Sequence, residues 1–409
     1  MRRSWVYPWL LFHKVNRGDS SSNSLDFDCL KIPDCCKLEP TRTTPGRPLA
    51  WFCFCTAPMK ALLLSQYNRL ELTDVSVPTP GPHEVLVRVA ACGICGSDVH
   101  GYDGSSGRRI PPIVMGHEAA GTIEVLGSEV TNLVKDDRVT FDSTISCGVC
   151  AFCRRGEINL CNHREVLGVS CDDYRRAGAF AEYVVVPSQI VYRLPPSISF
   201  PEAALLEAVA VAVHAVSLAE IVTQRSDPKN TALVMGAGTI GLLCLQALRA
   251  AGWTQVFIAD IDQSRLALAK TTGATSALLA GSELAKQVSQ VTNGEGVDLV
   301  VEAVGRNETV TASIEAVRKG GTVILVGNIS PEVTLPLQKV VTRQIRLQGS
   351  CASAGEYPRS IELMASGAIN VKPLITAVAP LEEGPDWFRR LHAREPGLTK
   401  VVLTPGGES

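Results

Sequence analysis

The apolar run Thr231 to Met235 leads directly into Gly236-Ala-Gly238-Thr-Ile-Gly241, and Ile240 to Ala251 continues with the spacing of a helix. A glycine triplet of this kind is weak evidence when it stands alone. Here it follows a strand, opens a helix and is trailed by a second strand, Gln255 to Ala259, which ends at Asp260 about 20 residues beyond the glycines. That order constrains the chain to a βαβ unit, with Gly236, Gly238, Ile240 and Gly241 forming a turn that a pyrophosphate can approach at the helix N-terminus. Asp260 can accept both ribose hydroxyls of an adenosine and would repel a 2′-phosphate, which favours NAD over NADP. Arg265 is either a phosphate partner or a solvated helix residue. The alternation continues with a strand over Val297 to Val304, a helix over Glu308 to Arg318 and a strand over Gly321 to Val326. Val304, Gly305 and Gly327 at the strand ends suit a ligand lying along the carboxyl edge of a parallel sheet.

A second constraint is a set of metal-ligating residue types. Cys95, Ser97 and His100 follow a predicted strand over Glu84 to Ala91, and His117 and Glu118 occupy a second loop before a strand over the rest of Gly116 to Leu126. A thiolate, an imidazole and a carboxylate from separate loops make an open Zn²⁺ site with a position left for water or substrate. Cys147, Cys150, Cys153 and Cys161 fall at CxxCxxCx7C, close enough to wrap one Zn²⁺ tetrahedrally with no position open. Disulfides and an iron–sulfur cluster compete, but the latter expects its last cysteine three residues on and followed by Pro, whereas Asn162 follows here. Cys92, Cys171, Cys244 and Cys351 stand alone and read as small buried apolar residues. Glu207, flanked by Leu205, Leu206 and Val209 in a helical pattern from Glu202 to Ala219, is either a buried carboxylate needing a partner or metal, or an exposed helical charge.

Composition narrows the partners. With 39 basic against 41 acidic residues, a net charge of −2 and no long block of one sign, nothing points to nucleic acid or an anionic membrane. No window approaches a span of about 20 apolar residues. Dense CxxC spacing among 14 cysteines favours metal binding in a reducing compartment, the cytoplasm. Residues 1–58 hold five of those cysteines, a serine run and a Pro-rich run without helical or strand period, and read as disordered or as a mispredicted extension with Met59 the natural start. A targeting leader is the alternative.

Taken together, Gly93-Ile-Cys95-Gly-Ser97-Asp-Val-His100, Gly116-His117-Glu118, the four-cysteine lobe, Gly236 to Gly241 and Asp260 resemble the zinc-containing medium-chain dehydrogenases. Glu118 and the residues around Glu207 look most like the polyol branch, which includes sorbitol (iditol), butanediol, galactitol-1-phosphate and threonine dehydrogenases. The resemblance implies an α/β fold: a GroES-like β-barrel catalytic domain over 59–215, a Rossmann doubly wound parallel sheet over 216–344, and a return to the catalytic domain over 345–409. It implies one catalytic and one structural zinc per subunit, NAD, and a homodimer or homotetramer. Cys95 and His117 would bind the catalytic zinc, Glu118 and Glu207 would share the remaining ligation directly or through water, and Ser97 and His100 would relay the proton by way of the nicotinamide ribose. Ala208 stands where many polyol enzymes carry Pro. Gly101 stands where they carry Tyr, which appears one place later as Tyr102. The implied activity moves hydride from a secondary alcohol or polyol, a sugar alcohol or its phosphate among them, to NAD. A threonine-type amino-alcohol dehydrogenase and a non-enzymatic dinucleotide sensor are the alternatives. Arg343 would orient the nicotinamide or a substrate oxygen, or else be a surface charge. Arg108, Arg109, Arg175 and Arg176 leave a phosphorylated substrate open and otherwise read as solvated loop charges.

Overall fold

The computed structural model describes residues 58–223 and 230–406. The expectation for residues 1–58 lies outside them, apart from Pro58, which begins the strand Pro58–Gln66.

In the strand Glu84–Gly93, Val85, Leu86, Val87 and Val89 are buried and Arg88 is exposed, so the strand is covered on one face throughout and on both faces in part. It lies inside a seven-stranded sheet ordered Val191–Arg193, Arg138–Phe141, Glu118–Leu126, Glu84–Gly93, Lys400–Thr404 and Ile375–Pro380, with Tyr183–Pro187 also pairing Glu84–Gly93. The C-terminal strand therefore returns to the first half of the chain, with Val402 opposite Gly93 and Leu403 opposite Cys92. Phe141, Phe180 and Phe388 fill the core beneath this sheet.

The second sheet has six strands, ordered Ser276–Leu279, Gln255–Asp260, Thr231–Met235, Val297–Glu302, Val317–Leu325 and Arg346–Gly349, every pair parallel. Its central strands carry the apolar runs Ala232 to Met235 and Leu299 to Val301, all buried. The order reverses between Thr231–Met235 and Val297–Glu302, the switch point where a crevice opens beyond the carboxyl ends of such strands. The helix Leu206–Thr223 buries Ala208, Val209, Ala210, Ala212, Ala215 and Val216, so it is apolar all round and sits in a core shared with the helix Thr239–Ala250 and with Ala91 and Ala120 of the first sheet. This is the GroES-like and doubly wound α/β architecture that the motifs imply. No helix among the described residues is long and apolar enough to cross a membrane.

Two predicted helices have different bounds. The pattern from Glu202 divides in two: Ser199 and Glu202 form a capping box that starts the helix Phe200–Ala203, and a new helix begins at Leu206. The helix expected to reach Arg318 ends at Ala316, because buried Val317 is extended and begins the strand Val317–Leu325. The helices Gly96–Tyr102, Leu284–Val291 and Gly384–His392 have no counterpart in the sequence reading, whereas Gln263–Thr271 is the helix on which Arg265 lies.

Candidate metal centre and nucleotide loop

Strand register assembles the metal centre. Gly93 pairs with Glu118 where Glu84–Gly93 meets Glu118–Leu126, so Cys95, the N-cap of the helix Gly96–Tyr102, comes across from His117. Ligand atoms of Cys95, His117 and Glu118 lie within 4.8 Å of one another. Glu207 is not in that group. Burial pushes its carboxyl up to about 7, against the pull of His117 and with the added repulsion of Glu118, so it stands close enough to feel both.

Asp98 is fully buried behind the triangle. One carboxylate oxygen accepts from the Cys95 backbone N–H at 3.2 Å, and the other lies 3.2 Å from His117 Nδ1 and 3.3 Å from Arg109 Nη2. Burial alone would raise the Asp98 pKa, but His117 and Arg109 outweigh it and hold the group down at about 2. Burial likewise disfavours a charged His117, yet Asp98 and Cys95 overcome it, so the imidazole titrates well above its usual range. The thiol, imidazole and carboxyl of this group are the donor types of an open zinc site, with Asp98 standing behind the imidazole.

Lys400 is the opposite charge that the sequence does not announce. Its Nζ is paired with the Glu118 carboxylate and donates to the Ile94 carbonyl at 3.1 Å, with both side chains almost fully buried. Gly93 makes room for the pair, since a Cβ there would lie 2.6 Å from Glu118 Oε2. The neighbouring Thr399 carbonyl accepts from Thr239 Oγ1 at 3.1 Å, which ties the start of the glycine-loop helix to the strand that carries Lys400.

Ser97 Oγ lies 3.4 Å from His117 Nε2. His100, on the same short helix, meets Ser105 Oγ at 3.2 Å through Nδ1. These are the two groups expected to handle a proton.

In the four-cysteine lobe, Sγ atoms are separated by 3.5 Å for Cys150–Cys153 and 3.9 Å for Cys147–Cys153 and Cys150–Cys161. A tetrahedron with Zn–S bonds of about 2.3 Å has edges of about 3.8 Å, whereas a disulfide needs about 2.05 Å. The spacing fits one zinc ion and excludes disulfides among these four. Cys150 is drawn down to about 6 by the backbone N–H groups of Cys153 and Asn162, so at least one thiolate forms readily.

At the nucleotide loop, Gly241 is required by packing, because a Cβ would meet the Gly236 carbonyl at 1.8 Å. Gly238 is different: it is the N-cap of the helix Thr239–Ala250, and a Cβ there would meet nothing within 4 Å. No protein contact demands glycine at 238. Ile240 packs beside the core and Val304 faces Gly236. Asp260 accepts from Ala237 N at 2.6 Å and from Asp262 N at 2.9 Å, bracing the loop while keeping acceptor sites free. Half-exposed Arg265 is 3.9 Å from Asp262.

Gly305 and Gly327 have a packing reason of their own to be glycine: a Cβ on either would lie 2.3 Å from the other's backbone. Arg343 is neither a loose surface charge nor turned to a ligand, since its guanidinium donates to the Ile314 carbonyl at 2.7 Å and to that of Val317. Arg175 donates to the Pro112 carbonyl, and Arg176 pairs with Glu165 at 2.9 Å. Arg109 is buried rather than solvated.

The alcohol dehydrogenase GroES-like domain matches residues 81–196 and the zinc-binding dehydrogenase domain matches residues 239–366. An L-idonate 5-dehydrogenase of Vitis vinifera is 38% identical over 78% of this chain and 86% of its own length. A sorbitol dehydrogenase of Bacillus subtilis is 32% identical over 85% of this chain and 97% of its own. Among solved structures, an Escherichia coli oxidoreductase of unknown specificity superposes with a TM-score of 0.79 at 31% identity, covering 85% of this chain and 99% of that one.

Proposed function

Since this chain belongs to the zinc-binding dehydrogenases that carry an alcohol dehydrogenase GroES-like domain, we propose that it is a polyol dehydrogenase, oxidising a secondary alcohol of a sugar alcohol or related polyol to the ketone with NAD. The observation that carries this reading is the triangle of half-buried Cys95 with buried His117 and Glu118, tied through Lys400 and Thr399 to the helix that opens at Gly238. The relatives named for idonate and sorbitol support the substrate class.

A zinc ion held at the triangle would supply Lewis acidity toward an alcohol oxygen, and a dinucleotide at the glycine loop would supply the nicotinamide as hydride acceptor. The side chains do the rest. Cys95 and His117 would hold the metal, with Glu118 as the direct third ligand and Glu207 acting through water. Asp98 keeps His117 turned with Nε2 toward the ligand triangle. Ser97 Oγ, on the Nε2 side of His117, takes the alcohol proton, and His100 with its Ser105 contact passes it to solvent. Gly236, Gly238 and Gly241 seat the pyrophosphate, and Asp260 takes the adenosine ribose and favours NAD over NADP. The cysteine lobe would hold a second, structural zinc.

The described cysteines are all free thiols, which supports a cytoplasmic location. The edge strand Arg346–Gly349, with exposed Leu337 and Val341 before it, supports assembly into a homodimer or homotetramer. A panel of polyols, diols, sugar phosphates and threonine, each with NAD⁺ and NADP⁺ and followed by absorbance of the reduced cofactor, tests the proposal. Turnover of at least one polyol with NAD⁺ is expected. Oxidation of threonine alone would assign the protein to the amino-alcohol type, and silence across the panel would refute the assignment.

A further inference from the structure

Arg109 is only 5% exposed, although its sequence context is a loop. Its Nη2 donates to Asp98 Oδ1 at 3.3 Å and to Ser97 Oγ at 3.4 Å, and its Nη1 donates to the Arg108 carbonyl at 3.2 Å. The space it fills exists because residue 101 is glycine: a Cβ at Gly101 would lie 2.1 Å from Arg109 Cγ. The absence of tyrosine after His100 and the burial of this arginine are therefore one feature. Asp98 Oδ1, which Arg109 holds, is also the oxygen 3.2 Å from His117 Nδ1, and the Ser97 hydroxyl it holds is 3.4 Å from His117 Nε2. One guanidinium thus touches the neighbours of both imidazole nitrogens.

We infer that Arg109 is a positioning residue, which fixes the Asp98 carboxylate and the Ser97 hydroxyl together and so sets the direction in which His117 faces the metal. The inference rests on the proposed function, since it assumes that His117 is a ligand. Arg109 reaches both acceptors through one nitrogen, Nη2, while Nη1 is anchored on the Arg108 carbonyl, so the rigid guanidinium plane fixes where that nitrogen sits, which the flexible ammonium of lysine lacks. Partners that orient a ligating histidine from behind are worth about 10- to 100-fold in metal affinity.

The test is competition between the full-length protein and a chromogenic zinc chelator, with the cysteine lobe as internal reference and Cys95→Ser to identify the catalytic class of zinc. Arg109→Met is expected to weaken that class alone by about 10- to 100-fold. Gly101→Ala, which displaces the arginine while keeping its charge, should do the same, and Arg109→Lys should fall between. Cobalt substitution should move the visible bands of the Cys95 site in the same order. If Arg109→Met does not fold, the other two variants decide. Unchanged zinc affinity and unchanged cobalt bands in Arg109→Lys and Gly101→Ala would overturn the inference alone. A wild-type chain with a single class of zinc would overturn the metal reading first, and this inference with it.

Discussion

Lys400 and Glu118 are a buried ion pair, and removing one member strands the other. Lys400→Met should therefore lower the free energy of unfolding by about 3–5 kcal/mol, read by urea denaturation of the zinc-free protein, and a loss below about 1 kcal/mol would show that the pair is not held. Asp260 supports a second residue-scale prediction: Asp260→Ser removes the charge that repels a 2′-phosphate and should raise the ratio of NADP⁺ to NAD⁺ efficiency at least about 10-fold, equivalent to about 1.4 kcal/mol. A ratio that does not move would place adenosine discrimination elsewhere. Cysteines and His117 were legible because their residue types are rare, and the glycine triplet because its spacing is local and it sits between a strand and a helix. Asp98, Arg109 and Lys400 were not, since ordinary charged residues acquire a role only when folding places them behind a ligand. Asp98 did leave a signal, standing three residues after Cys95 where it closes a capping box on the Cys95 backbone.

At the scale of elements, Asp298 fastens the parallel sheet at its amino edge. It accepts from Thr231 N at 3.0 Å and Thr231 Oγ1 at 2.9 Å and pairs with Arg318 at 2.5 Å, joining three strands. Burial would raise its pKa, but Thr231 and Arg318 more than reverse this and keep it below the ordinary 3.8. A lowered pKa means that the stabilisation is fully present above 3.8 and is lost as pH falls through the lower folded value. Asp298→Asn should cost about 1–3 kcal/mol near pH 7, and the gap between variant and parent should close in denaturation series run to acid pH. A gap that is constant with pH would deny the carboxylate its part. The strands and long helices were readable from apolar runs between glycines. Their ends were less so: Ser199 captures the helix start ahead of Glu202, and Val317 prefers a buried strand to a last helical turn.

At the scale of the whole molecule, the described residues hold two metal groupings of different kind, the open triangle and the closed cysteine tetrad. The return of Lys400–Thr404 to the first sheet places a C-terminal lysine on the triangle and, just before the strand, a C-terminal threonine on the glycine-loop helix, so the triangle and the glycine loop are tied to one strand. That sharing was invisible before the sheet order was known, although each motif was plain. The measurement that bears on it most directly is zinc content by elemental analysis of the full chain and of Cys95→Ser, with NADH binding followed in both by fluorescence. Two zinc equivalents in the parent, matching the two groupings, one in the variant, and NADH bound by both is the result predicted here. One equivalent in the parent after remetallation, or no loss in the variant, would contradict it.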